Sequence, residues 1–209
     1  MTATHRATLI VVPKGEGSYS DRELVRALRA HDVKACVLTY RKYAPRIFGI
    51  VQRAIGPDSD VQDLTQDIFL RVFSRIHTLR KPEALSSFIL SVAIRVIKWQ
   101  LRQRRVRRIL HLTPDGIVPE IAVPANDPDA RQALRRLYGV LDSLPVQERT
   151  VFVLRHVEGM DLQEIATVAG VSLATVKRRL QKGTARVNER VQSDNALSSF
   201  ASKVRSDEA

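Results

Sequence analysis

The sequence predicts an all-α protein, two small helical domains joined by a proline-rich flexible linker. Three observations carry this. Apolar residues recur at helical spacing from Asp21 to about Leu110 and again from about Arg131 to Gln192. No segment alternates with the period of a strand. The one long stretch without helical pattern, HLTPDGIVPEIAVPANDPDA, holds Pro114, Pro119, Pro124 and Pro128, four of the nine prolines in the chain.

Taken in order, residues 1–20 lack helical periodicity and end in the Gly/Ser-rich run KGEGSYS, the composition of a flexible N-terminal tail. Residues 21–110 form the first domain, with breaks expected at Gly56-Pro57 and near Lys81-Pro82. Within it, positions 61, 64, 65, 68, 69, 72, 73 and 76 hold Val, Leu, Thr, Ile, Phe, Val, Phe and Ile, the inward stripe of an amphipathic helix. The opposite face carries Asp63, Gln66, Asp67, Leu70 and Arg71. An acidic face with a leucine in its middle repels DNA and suits a protein partner. Such a face is also what simple solvation produces.

Farther along, RVIKWQLRQRRVRR places seven basic residues in fourteen, with no acid, over Arg95 to Arg108. A run that dense favours phosphates, each one neutralised adding about −0.9 to the log-salt slope of duplex binding. Trp99 in its middle fits stacking on a base. It fits a core position too, the commoner fate of a lone tryptophan at apolar spacing.

Residues 111–130 read as the linker: from Leu112 to Ala130 there is no basic residue, and the prolines forbid a continuous helix. Residues 131–192 form the second domain, with turns at Leu144-Pro145 and Glu158-Gly159. Its most informative stretch is LQEIATVAGVSLATVKRRL, Leu162 to Leu180. Leu162, Ile165, Ala166 and Ala169 make an apolar stripe. Gly170 can take the positive φ that ends a helix, and Ser172 is a good cap for the next one. Val176 and Leu180 then face inward, leaving Thr175, Lys177, Arg178, Gln181 and Lys182 outside. Two short helices joined by a glycine turn, the second basic on its free face, describe a helix-turn-helix. Residues 193–209, with a small amphipathic pattern at Leu197, Phe200 and Val204, read as a C-terminal tail.

Composition narrows the function. The chain of 209 residues carries a formal net charge of +12, which favours a polyanionic partner. The single Cys36 excludes an internal disulfide and reads as a small apolar side chain on a helix. Its five histidines form no pair at metal-binding spacing, and no catalytic motif is present. The expectation is therefore a non-enzyme without metal or cofactor. No stretch reads as a bilayer span, and Leu9–Val12 is too short for a signal-peptide core, so no membrane insertion and a cytoplasmic location are expected.

With both halves in view, the chain resembles the extracytoplasmic-function (ECF) sigma factors of bacterial RNA polymerase. DLTQDIFLRVF, Asp63 to Phe73, resembles the region-two helix that grips the clamp helices of the β′ subunit. SLPVQERTVFVLRHVEGMDLQEIATVAGVSLATVKRRL, Ser143 to Leu180, resembles region four with little deviation. The resemblance implies that Asp63, Gln66, Asp67, Leu70 and Arg71 dock core polymerase. It implies that Lys98, Trp99, Arg102, Arg104 and Arg105 lie along the −10 element. Thr175, Lys177, Arg178 and Lys182 would enter the major groove at the −35 element, with Arg179 on phosphate. The implied partners are core polymerase (β′ clamp helices and β flap), promoter DNA and an anti-sigma factor.

Two departures stand out. Phe88 and Arg95 occupy positions where the family commonly has tryptophan and asparagine, and Trp99 stands where an aspartate is frequent. The segment Thr78 to Ser87, the family's base-capturing loop, contains no aromatic residue. The alternative reading is a stand-alone helix-turn-helix transcriptional regulator, which would be a symmetric dimer on a palindrome. A non-sequence-specific RNA- or membrane-binding protein is a further one.

Overall fold

The computed structural model describes residues 19–56, 61–109 and 128–199. Among them are helices and turns and no strand, as the periodicity requires. The N-terminal tail to residue 18, most of the linker, Phe200 and Val204 lie outside the described residues.

Four helices build the first half: α1 (Asp21–Arg29), α2 (Val33–Ile55), α3 (Val61–Arg75) and α4 (Leu85–Ile109). Ser20 starts α1 with a reciprocal cap, its Oγ accepting from the Glu23 amide while the Glu23 carboxylate accepts from the Ser20 amide at 2.8 Å. The α3 stripe falls where its spacing placed it. Val61, Leu64, Thr65, Ile68, Phe69, Val72 and Ile76 are buried and Phe73 is half-buried. They meet Ile47, Ile50 and Val51 of α2 and Ile89, Ala93 and Ile97 of α4, forming one core. Cys36 packs against that core from one side, and burial pushes its thiol pKa up.

The second half comprises α5 (Pro128–Ser143), α6 (Val146–Phe152), α7 (Leu162–Ala169) and α8 (Leu173–Ser193). Between α6 and α7, residues Val153–Val157 wind into a π-type turn, closed by the Glu158 amide on the Val153 carbonyl at 3.0 Å. Val151, Leu154, Ile165 and Val176 fill the centre, with α6 packed on α8 and α7 on α8.

The two halves also pack on one another, α4 lying against both α6 and α7. Arg149 of α6, only 3% exposed, donates through Nε to the Ala54 carbonyl at the end of α2, 3.0 Å away, and pairs with Asp142. Arg53 of α2 grips Glu158 with Nε and a terminal nitrogen, at 2.6 and 2.9 Å. Gly56, with φ 91° and ψ 164°, ends α2 in a conformation open only to glycine, and the Tyr138 ring comes within 3.4 Å of where a Cβ would stand.

Four expectations need correction. Residues 82–106, ending inside α4, are long and apolar enough by composition to cross a membrane. Half of its most apolar 18 residues are buried within the protein, so the core of a helical domain accounts for the apolarity. Helix α4 begins at Leu85, inside the segment 78–87 that the resemblance makes a loop, after 3-10 turns at Ile76–Thr78 and Pro82–Ala84. Helix α5 begins at Pro128, before the expected linker end, since proline is tolerated in a first helical turn. The C-terminal segment does not leave the fold at residue 193. Asp194 accepts from the amides of Ala196 and Leu197, residues 195–199 are helical, and Leu197 is buried.

Candidate nucleic-acid interface

The helix-turn-helix is built by local chemistry. Asp161 caps α7, accepting from the Glu164 amide at 2.7 Å. Gly170 closes it at φ 66°, ψ 41°, in the left-handed region. The Val171 amide reaches back to the Ala166 carbonyl at 3.1 Å, and Val171 packs on the core. Ser172 then caps α8, its Oγ accepting from the Thr175 amide at 3.2 Å. Val176 is fully buried and Leu180 packs on the core, which pins the angle of the second helix. Lys177, Arg178, Gln181 and Lys182 are exposed. Among the described residues Lys177, Arg178 and Lys182 have no carboxylate partner. Thr175 is half-buried with its hydroxyl against Ser172, and Arg179 is half-buried.

The outer face of α3 presents Asp63 and Gln66, with Leu70 exposed at 68%. Arg71 Nε lies 3.0 and 2.9 Å from the two carboxylate oxygens of Asp67, one turn earlier. Such an exposed pair contributes only about 0.3–0.5 kcal/mol. An exposed leucine inside a ring of charges is therefore the feature of this face that solvation does not explain.

The basic residues of α4 divide between environments. Lys98 is turned toward α7, its Nζ 3.5 Å from the Ala169 carbonyl. Burial lowers its pKa first of all, with the nearby charges of Arg179 and Arg102 adding to the effect. Arg104 turns inward and donates to the Ile55 carbonyl at 2.9 Å, while Arg102 and Arg105 are exposed. Trp99 is 51% exposed, so a core role for it is excluded. The fold thus brings Lys98 close to Arg179 as well as to Arg102 and leaves Trp99 elsewhere on α4, beside Arg71. Sequence reasoning missed Arg149, whose buried position on α6 shows only once α2 is docked beside it. It also missed Arg75, which lines the same groove as Trp99.

Comparison with known proteins places this arrangement. Residues 39–107 match the family description "Sigma-70 region 2" and residues 134–187 match "Sigma-70, region 4". The ECF RNA polymerase sigma factor SigE of Mycolicibacterium smegmatis is 31% identical over 149 residues, which cover 68% of this chain and 56% of that protein. The ECF RNA polymerase sigma-E factor of Escherichia coli is 23% identical over 182 residues, 83% of this chain and 95% of that one. The chain therefore spans little more than half of the first relative and nearly all of the second. Two solved structures share the fold. CnrH, in complex with the cytosolic domain of CnrY, has a TM-score of 0.60 at 20% identity, over 84% of this chain and 99% of that one. The sigma factor RpoE, in complex with the anti-sigma factor NepR from Bartonella quintana, has a TM-score of 0.55 at 16% identity, over 78% of this chain and 100% of that one. The chain belongs to the sigma-70 family of RNA polymerase sigma factors, in its extracytoplasmic-function group.

Proposed function

We propose that the protein binds core RNA polymerase and directs promoter-specific initiation, a non-catalytic role in the cytoplasm. The observation that carries this is the coexistence, on one chain, of two faces with opposite partners. One is the exposed Leu70 among Asp63, Gln66 and Asp67. The other is the free basic edge of α8.

The α3 face supports docking on the β′ clamp helices, where Leu70 would bury its side chain and Asp63, Gln66, Asp67 and Arg71 would set the register. Lys177, Arg178 and Lys182, on a helix capped by Ser172, support major-groove binding at a −35 element, with Arg179 on phosphate and Thr175 at the start of the helix. A bidentate arginine on guanine discriminates against a wrong base by about 1–3 kcal/mol, and Arg178 is the side chain assigned that contact. Lys98, Trp99, Arg102, Arg104 and Arg105 are assigned to the −10 element, and the second domain to the β flap. An anti-sigma partner is part of this reading. Its support is that a structural neighbour was solved with one.

The experiment is a separation of functions. Leu70→Ala and Asp67→Lys should weaken binding to core polymerase and leave binding of a −35 duplex unchanged. Arg178→Ala should do the reverse. If all three variants weakened both interactions equally, the assignment of the two faces would be wrong.

A further inference from the structure

A cavity of about 20 Å3 lies where the two halves meet. Three arginines line it, Arg104 and Arg105 from α4 and Arg149 from α6. Leu101, Leu144 and Val146, all buried, supply its apolar walls, and Asp142 its only carboxylate.

Arg149 is the group that this packing leaves unfinished. Its side chain is 3% exposed. Its Nε donates to the Ala54 carbonyl at 3.0 Å and its Nη1 to Asp142 Oδ1. Nη1 thus reaches the cavity wall at Asp142. Nη2, bonded to the same carbon, is buried with no hydrogen-bond partner among the described residues. A buried donor left unpaired costs the full desolvation of that group, so folded proteins rarely leave one so.

The lining decides what completes it. Guanidinium groups donate and never accept. Asp142, the one lining side chain that accepts, is already engaged by Arg149. Water donates as well as accepts, and Leu101, Leu144 and Val146 offer it no acceptor. Three guanidinium groups against one carboxylate also leave an excess of positive charge. Burial is the main cause that lowers the Arg149 pKa; Asp142 opposes it, and the nearby charge of Arg104 adds to the lowering. Arg105 is exposed and has no carboxylate partner among the described residues. Like charges at a desolvated site are relieved by an anion. Roughly 10–15 Å3 of such space suffices for one water-sized particle, so there is room for one small ion.

We propose that this cavity binds one small inorganic anion, which accepts from Arg149 Nη2 and lies among Arg104 and Arg105. The walls come from both halves, so the site exists only while α4 is packed on α6. A bound anion therefore favours the closed arrangement, and opening weakens the anion by the same factor. The site depends on that packing and not on the promoter reading.

The full-length protein would be unfolded by heat in sodium gluconate, replaced stepwise by sodium chloride or by sodium phosphate. Constant ionic strength keeps screening of the surface charge fixed. The expected result is a saturable rise in melting temperature, relative to gluconate, with chloride or phosphate, and the salt that gives it identifies the ion. At a hundredfold excess over its dissociation constant the ion shifts the folding equilibrium about 100-fold. Arg149→Lys keeps the charge but has no Nη2, and should abolish the response. Val146→Leu adds bulk to the cavity wall and leaves every arginine in place. It should weaken the ion about tenfold, and it tests the site independently if Arg149→Lys fails to fold. Equal melting temperatures in all three salts would overturn the proposal, because water would then complete Arg149. So would a rise that Val146→Leu leaves unchanged, because the ion would then act on the general surface charge.

Discussion

At the scale of single residues, Gly170 and Lys98 carry the clearest consequences. Gly170 sits at φ 66° with nothing within 4 Å of an added Cβ, so the cost of a side chain there is backbone strain alone. Gly170→Ala should destabilise the protein by about 1–2 kcal/mol, and Gly170→Asn by less, measured by urea unfolding. Lys98 illustrates a charge held at a disadvantage. Its pKa in the folded protein lies below the ordinary 10.5 because burial disfavours the ammonium. Between that lowered value and 10.5 the unfolded chain binds more protons than the folded one, so the contribution of Lys98 to stability rises with pH across that window. Lys98→Met should therefore be more stable than wild type at neutral pH, and the difference should shrink as pH approaches 10.5. A difference that grew with pH would mean that the ammonium is stabilised by its contact with Ala169. Some of this was legible in sequence, some not. Gly170 and Ser172 announced themselves because turn and cap chemistry is local. The environment of Lys98 depends on α7, seventy residues away, and no periodicity encodes it. Trp99 was ambiguous for a related reason: its spacing suits a core, and only the packing of α3 beside α4 leaves it exposed.

At the scale of elements, α3 was readable almost residue by residue, since a helix with one buried face writes its period into the sequence. The boundaries that escaped had physical reasons. Pro128 looked like linker because of its neighbours, yet proline fits the first turn of a helix and α5 starts on it. The π-type turn at Val153–Val157 inserts a residue that leaves no compositional mark. Leu197 is buried because Asp194, itself held by Arg136 at 3.0 Å, restarts a helical turn beyond α8. Among these elements the recognition helix offers the sharpest test. Ser172→Ala removes the acceptor for the Thr175 amide and should cost about 1 kcal/mol of stability. If α8 reads the promoter, the same change should weaken binding of a −35 duplex. Unaltered affinity would show that the start of α8 does not need this cap to hold its DNA-facing residues.

At the scale of the whole molecule, the two halves are closed on each other, with α4 against α6 and α7. This brings Lys98 near enough to Arg179 for the two like charges to repel, which adds to the effect of burial on the Lys98 ammonium. Elements at −10 and −35 are about 25 base pairs apart, or about 85 Å at 3.4 Å per step. Adjacent side chains cannot reach both, so engagement of a promoter demands that the halves separate. Arg53 and Glu158 bridge the closed form, and Glu158 is nearly buried. Arg53→Glu would set two carboxylates against each other there. Small-angle X-ray scattering of the free variant should give a larger radius of gyration with helix content preserved. An unchanged radius would mean that this pair does not hold the halves together.

Promoter-specific initiation can be observed outright in a reconstituted reaction. Purified protein and bacterial core RNA polymerase would be mixed with a library of promoter fragments, and transcript starts mapped by sequencing. The expected result is discrete starts that need both components, share −10 and −35 elements, and disappear with Asp67→Lys or Arg178→Ala. Tight sequence-specific binding of DNA without polymerase, and no core-dependent transcripts, would contradict it and identify a stand-alone regulator.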